Sequence, residues 1–65
     1  MKWEIFIYDN KVCLIEKEFN NPKEIEAILK QYEGYWCKII NQITFEVILE
    51  GAFDDSFLDE SYYRN

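Results

Sequence analysis

The stretch NNPKEIEAILKQYEG, residues 20–34, contains the start, the apolar face and the end of one helix. Asn21 is a residue type that caps helices, the proline after it suits the first helical position, and Glu24 completes a capping box. Gly34 is typical of the residue just beyond a helix end. Apolar side chains spaced at i, i+3, i+4 and i+7 share one stripe: Ile25, Ile28, Leu29 and Tyr32. These signals predict an amphipathic helix over residues 22–33.

The segments on both sides of this helix have the composition and the alternation of β-strands. Turn-forming residues separate them, since asparagine and aspartate tolerate a left-handed backbone. The predicted strands are residues 2–8, 12–19, 36–40 and 43–50, with turns at Asp9-Asn10 and Asn41-Gln42. The β-β-α-β-β order predicts an α+β fold, in which an antiparallel sheet of three to four strands carries the helix on one face.

The two faces of the predicted sheet are both partly apolar. The face expected under the helix carries Trp3, Ile5, Ile7, Ile43, Phe45, Val47 and Leu49. The opposite face mixes apolar and charged side chains: Glu4, Phe6, Tyr8, Trp36, Lys38, Ile40, Glu46, Ile48 and Glu50. Exposed rings in such a patch indicate an interaction surface. Three covers are consistent with the sequence, namely the C-terminal segment, a second copy of the chain, or a partner protein.

The 65 residues predict one small domain, residues 1–65, with a body over 1–50 and an acidic, aromatic C-terminal segment over 51–65. Four of the six net negative charges lie in residues 50–65, which hold five acids and one base. We expect a turn at Gly51 and then a short acidic helix near 56–63, or a tail, whose rings pack on the sheet.

The sequence lacks the residue types that most catalytic and metal sites require. It has no histidine, which is the commonest general base, and its two glycines cannot make a phosphate-binding loop. Cys13 and Cys37 are too few for a zinc site. We therefore expect no enzyme activity, no cofactor and no metal. The cysteines are expected to be buried thiols, and they could form a disulfide only if their strands are neighbours.

The charge and the hydropathy limit the partners. A net charge of −6 repels nucleic acid and anionic membranes, so we expect neither to bind directly. Residues 1–8 are too short for a signal peptide and contain Glu4, and no apolar run is long enough to span a membrane. The expected protein is soluble and cytoplasmic, and its expected partner is a protein with a basic surface.

Two functional hypotheses follow from these features. In the first, the chain is an inhibitor that mimics nucleic acid on the basic cleft of a host enzyme or defence protein. Its length, acidity and ring content resemble those of compact proteins that phages and mobile elements use to block host enzymes. The residues expected to bind the partner are Asp54, Asp55, Phe57, Asp59, Glu60, Tyr62 and Tyr63. In the second, the chain is a structural or assembly module that forms a homodimer or binds a partner through its open sheet face, near Phe6 and Tyr8.

Overall fold

A computed structural model describes residues 2–64, which form a four-stranded antiparallel sheet and one α-helix. The elements are β1 (Trp3–Asp9), β2 (Val12–Phe19), α1 (Glu26–Tyr32), β3 (Trp36–Asn41) and β4 (Val47–Ala52). The strand order across the sheet is β2-β1-β3-β4, and all three pairings are antiparallel. The predicted α+β class and the β-β-α-β-β order are confirmed.

The helix begins at the predicted capping box. The Asn21 side chain accepts a hydrogen bond from the backbone N–H of Lys23 at 2.9 Å, and the Glu24 carboxylate accepts one from the N–H of Asn21 at 2.9 Å. The first turn, Pro22–Ile25, is a 3₁₀ helix, and α1 follows it directly. Gly34 then has a φ of +90°, a conformation that glycine adopts with little strain.

The first hairpin turns one residue later than predicted. Asp9 still pairs with Val12, so the two turn residues are Asn10 and Lys11. Asn10 has a φ of 57°, which asparagine tolerates better than most residues. β2 has the predicted bounds, 12–19.

The second hairpin corrects a larger error in the sequence interpretation. A strand over 43–50 is wrong, because β4 begins only at Val47. The Asn41 side chain accepts hydrogen bonds from the N–H groups of Ile43 and Thr44 at 2.8 and 3.2 Å, and the Asn41 carbonyl accepts one from Phe45 at 2.7 Å. These bonds hold residues 42–46 as a loop. Ile43 and Phe45 are therefore 69% and 73% exposed and do not belong to the core, and Val47 is also exposed.

The core lies between one face of the sheet, the helix and the C-terminal segment. Its buried members are Trp3, Ile5, Ile7, Phe19, Ile25, Cys37, Ile39, Phe53, Phe57 and Tyr63. The single helix expected near 56–63 is instead two 3₁₀ helices, Asp55–Leu58 and Glu60–Tyr63, which we call the C-terminal turns. The first of them contacts α1.

Tyr63 joins the end of the chain to the start of the sheet. Its ring meets those of Trp3 and Phe19 edge-on, with centroids 5.2 and 5.6 Å away. Its hydroxyl donates a hydrogen bond to the Phe57 carbonyl at 2.6 Å. Since the helix and the C-terminal turns share the core face of the sheet, the C-terminal segment does not cover the opposite face, contrary to one of the covers considered above.

Candidate protein-binding surfaces

The sheet surface opposite the core is called the open face here, and the strand register arranges its side chains in three rows. One row is Glu18, Glu4, Ile40 and Val47; the next is Glu16, Phe6, Lys38 and Glu50; the third is Cys13, Tyr8, Trp36 and Ala52. The rows exist because alternate residues of β1 point to opposite faces, so that Trp3, Ile5 and Ile7 enter the core and the residues between them do not. The open face therefore combines rings, aliphatic side chains and carboxylates.

The rings of the open face are held in place by their neighbours. Tyr8 and Trp36 lie opposite each other on β1 and β3, with centroids 5.5 Å apart and planes tilted by 58°. The Lys38 ammonium lies 5.4 Å from the centroid of the Phe6 ring, which is within the range of a cation–π contact. Trp36 remains 45% exposed, so a large ring that is already oriented faces solvent.

The carboxylates of the open face repel one another. Burial, and then the neighbouring Glu16 carboxylate, raise the pKa of Glu4 above its usual value, with a smaller contribution from Glu18. The Gln42 side chain donates a hydrogen bond to Glu18, and the Lys2 ammonium lies 4.0 Å from the same carboxylate. A raised pKa means that folding disfavours the charged form of Glu4, so at neutral pH this charge lowers stability.

The acids of the C-terminal turns divide into two kinds. Asp54 caps the first turn, accepting hydrogen bonds from the Ser56 N–H at 2.9 Å and from the Ser56 hydroxyl. Asp59 caps the second, accepting from the Ser61 N–H at 2.9 Å, and this bond holds the pKa of Asp59 below its usual value. Two of the four acids predicted to bind a partner thus also stabilise the chain locally.

The other two acids have no capping role in the turns. Asp55 and Glu60 occupy the first turn of each 3₁₀ helix and are exposed. All four acids are therefore accessible on one well-defined segment, but they do not lie along a single helix face.

Two of the three rings expected to anchor a partner are parts of the core. Phe57 and Tyr63 are 5% and 6% exposed, whereas Tyr62 is 47% exposed. Phe57 packs edge-on against Phe53 with centroids 5.7 Å apart. In this fold Phe57 and Tyr63 stabilise the domain and are not available as contact residues.

The sequence contains a repeated motif that explains why two turns form in place of one helix. Residues 54–56 and 59–61 both read Asp-acid-Ser. In each, the aspartate side chain accepts a hydrogen bond from the backbone two residues later, as aspartate does at the start of a turn. Two such caps five residues apart predict two short turns and not one helix, and with them a compact segment that can bury its rings.

The two cysteines lie on opposite faces of the sheet, and their strands, β2 and β3, are not neighbours. Cys13 on β2 is exposed and Cys37 on β3 is buried, and β1 lies between their strands. Two strand spacings amount to about 9–10 Å, which is too far for a disulfide. Burial, with a smaller effect of Asp54, raises the pKa of the Cys37 thiol to about 12, so this thiol stays protonated and unreactive at neutral pH. The expectation that both cysteines are buried is wrong for Cys13.

Within residues 2–64, no group of three Cys, Asp or Glu side chains is arranged to hold a metal ion. No helix in the same range is both long and apolar enough to cross a lipid bilayer.

Comparison with known proteins gave no match: no protein-family model fits the chain, and no curated protein and no solved structure is similar to it. The features of this chain that bear on a function are therefore the two surfaces described above, the open face and the C-terminal turns.

Proposed function

We propose that this protein is a small acidic inhibitor that binds the basic, nucleic-acid-binding surface of another protein, such as a host nuclease or defence factor. The observation that carries the proposal is the open face, where oriented rings and carboxylates occur side by side. The proposal moves the main contact surface from the C-terminal turns to the sheet, because two of the three rings expected on the turns are buried.

The composition of the open face suits a protein interface. Tight interfaces use aromatic side chains as central anchors and charges at the rim for steering and specificity. Here the exposed Trp36 ring and its partner Tyr8 supply the anchor, and Glu16 and Glu50 lie at the two ends of the middle row. Burial, and then the neighbouring Glu16 carboxylate, raise the pKa of Glu4, and a partner lysine or arginine beside Glu4 would stabilise its charged form.

The charge of the open face favours a basic partner over a second copy of the chain. Its three rows contain Glu4, Glu16, Glu18 and Glu50 but one base, Lys38. Face-to-face packing of two copies would bring these carboxylates together. Like charges that meet at an interface weaken binding by on the order of several kcal/mol. Homodimerisation through this face is therefore the alternative that the geometry favours less.

Nucleic-acid mimicry is consistent with the spacing of the carboxylates. Glu18 and Glu4 are opposite each other on neighbouring strands, whose separation is about 4.8 Å. DNA also carries closely spaced negative charges, one per about 3.4 Å of helix axis on each strand. In this proposal the gene belongs to a phage or mobile element, and the protein acts in the host cytoplasm, a reducing compartment in which Cys13 and Cys37 remain thiols.

Two double variants with the same charge change test the proposal. The first variant, Glu16→Lys with Glu50→Lys, alters the open face, and the second, Asp55→Lys with Glu60→Lys, alters the C-terminal turns. Each pair of substitutions changes the net charge from −6 to −2. Each tagged protein is used to capture partners from nuclease-treated host lysate at low and high salt. A captured nucleic-acid-binding protein is then purified, and its affinity for labelled DNA is measured with each protein as competitor.

The expected result is that the wild-type protein competes with DNA and that the open-face variant does so at least about tenfold less well, since its two new lysines would face the basic surface of the partner and like charges placed opposite each other weaken binding. The variant of the C-terminal turns should keep most of its affinity. The proposal fails if the open-face variant competes as well as the wild type. If only the variant of the C-terminal turns loses affinity, the turns are the binding surface. Light scattering that detects a dimer, lost in the open-face variant, would favour the assembly module.

A further inference from the structure

An open cleft lies at one end of the sheet, between the β1–β2 turn and the segment that joins α1 to β3. Its volume is about 680 Å³, and its walls include the rings of Tyr8, Tyr35 and Trp36 and the acidic residues Asp9 and Glu33. This volume is in the range of ligand-binding clefts. The cleft adjoins the third row of the open face, to which Tyr8 and Trp36 also belong.

The aromatic side chains of the cleft are held by contacts with other rings. Trp36 is held by Tyr8, as described above, and Tyr35 meets the Tyr32 ring of α1 edge-on, with centroids 5.8 Å apart. Tyr35 and Trp36 are still 38% and 45% exposed. Each ring therefore has one side engaged with the protein and another available to a ligand, so little side-chain entropy would be lost on binding.

The charge of the cleft selects a cation. Asp9 and Glu33 line the cleft and are exposed, and among the described residues no lysine or arginine lines it. Aromatic faces attract cations, and the attraction is stronger where carboxylates are close. The neighbouring contact between Lys38 and the Phe6 ring is an instance of the same chemistry on this sheet.

We propose that this cleft binds the guanidinium group of an arginine side chain presented by the partner protein. An arginine fits better than a lysine, because its planar group stacks on rings, is weakly hydrated and can form paired hydrogen bonds with a carboxylate. The source of the arginine rests on the proposed function, since the surfaces that nucleic acids bind are rich in this residue. The rings and the charge of the cleft favour an arginine whichever protein supplies it.

Short peptides test the cleft without any partner protein. One peptide has a single arginine flanked by glycine and serine; in a second, citrulline replaces the arginine, which keeps the shape and removes the charge; a third has lysine. Each is titrated into the 15N-labelled protein and followed by NMR. The indole N–H signals of Trp36 and Trp3 serve as internal reporters, since Trp36 is at the cleft and Trp3 is buried in the core.

The arginine peptide should shift the Trp36 signal and leave the Trp3 signal unchanged. The citrulline peptide should bind at least about tenfold more weakly, and the lysine peptide should bind with intermediate affinity. Equal binding of the arginine and citrulline peptides would overturn the inference. Equal binding of the arginine and lysine peptides, with no specific shift at Trp36, would indicate only non-specific attraction to an acidic protein and would also overturn it.

Two matched variants separate the cleft from the rest of the surface. Trp36→Leu should weaken binding of the arginine peptide at least about tenfold, measured from the signal of the Gly34 amide, which lines the cleft. Tyr62→Leu removes a ring of nearly equal exposure (47%) and should leave the affinity for the peptide unchanged. An unchanged Trp3 signal checks that each variant is folded. Wild-type affinity in Trp36→Leu would refute the cleft. If no peptide binds but the open-face charge variant still loses its partner, the inference about the cleft falls and the proposed function stands. If the arginine peptide binds at the cleft but no partner is captured, the inference stands and the proposed function falls.

Discussion

At the scale of single residues, Phe45 has a backbone conformation that is unusual for a bulky side chain. Its φ is 63° and its side chain is 73% exposed, so a bulky residue adopts a left-handed conformation without the burial that would offset it. The strain is about 1–2 kcal/mol for a residue with a side chain, and glycine avoids it at an entropic cost of about 0.5–1 kcal/mol. We expect Phe45→Gly to raise the free energy of unfolding by about 0.5 kcal/mol, measured by urea denaturation.

The matched control is Ile43→Gly in the same loop. Ile43 is 69% exposed and does not have a positive φ, so glycine relieves no strain there and should lower the free energy of unfolding by about 0.5–1 kcal/mol. If both variants lose stability equally, Phe45 is not strained in solution.

The raised pKa of the Cys37 thiol makes the stability of the protein depend on pH. The unfolded thiol releases its proton near the ordinary value of 9.0, whereas in the folded protein the pKa of Cys37 is about 12. Between these values the folded state binds more protons than the unfolded state, so stability is full below about pH 9 and falls as the pH rises. Cys37 should contribute up to about 1.4 kcal/mol per pH unit to this fall, measured by urea denaturation between pH 7.5 and 10.5.

Cys37→Ala is the control for this slope. The variant should be less stable at pH 7.5, because it leaves a small cavity, but its stability should fall less steeply above pH 9. Identical slopes in the two proteins would show that the Cys37 thiol is not protected by the fold. Cys13, which is exposed, should react with a thiol reagent in the native protein, whereas Cys37 should react only on unfolding.

At the scale of elements, local signals explain which parts were predictable. The helix and β2 are predictable because their signals are local. The helix has its capping residues and its apolar stripe within or next to it, and β2 has turn-forming residues at both ends. The start of β4 is predicted wrongly because the alternation of apolar and polar residues over 43–49 resembles that of a strand. In the structure the Asn41 side chain accepts hydrogen bonds from Ile43 and Thr44 and holds this segment as a loop. A loop that one side chain closes is not visible in hydrophobic periodicity.

The caps of the C-terminal turns provide an element-scale prediction. Asp54→Ala removes the acceptor for the Ser56 N–H and should lower the free energy of unfolding by about 1 kcal/mol, as is usual for an N-cap. Asp55→Ala changes the net charge by the same amount at the next residue, which is exposed and does not cap the turn, and should alter stability by less than about 0.5 kcal/mol. Equal losses in the two variants would mean that charge, not capping, explains the effect. Thermal denaturation at neutral pH measures both.

At the scale of the whole molecule, the sequence predicts the rings of the open face correctly, but it misassigns two of the three rings of the C-terminal turns, Phe57 and Tyr63. Both the charge skew of residues 50–65 and the rings of the open face follow from counting and alternation. Which rings are buried depends on how the C-terminal segment packs. Tyr63 enters the core through contacts with Trp3 and Phe19, which are far away in the sequence, and no local pattern encodes these contacts. Phe57 packs on Phe53, four residues earlier. The cleft likewise joins segments far apart in the sequence, at Tyr8 and Glu33–Trp36.

The role of the C-terminal segment gives a whole-molecule prediction. A chain ending at Gly51 lacks three buried rings, Phe53, Phe57 and Tyr63. Removing one buried phenylalanine typically costs about 3–5 kcal/mol, and a small domain is stable by about 5–15 kcal/mol in total. We therefore expect this truncated chain to lose its dispersed NMR spectrum and its cooperative thermal transition.

A chain ending at Tyr63 is the matched control, because it keeps all three rings and should melt within a few degrees of the full chain. If the chain ending at Gly51 still folds cooperatively, the C-terminal turns are an appendage, and the buried positions of Phe57 and Tyr63 are wrong. If it unfolds as expected, truncation cannot separate binding from folding. Point substitutions at exposed acids such as Asp55 and Glu60 are then the means of testing what the C-terminal turns contribute to binding.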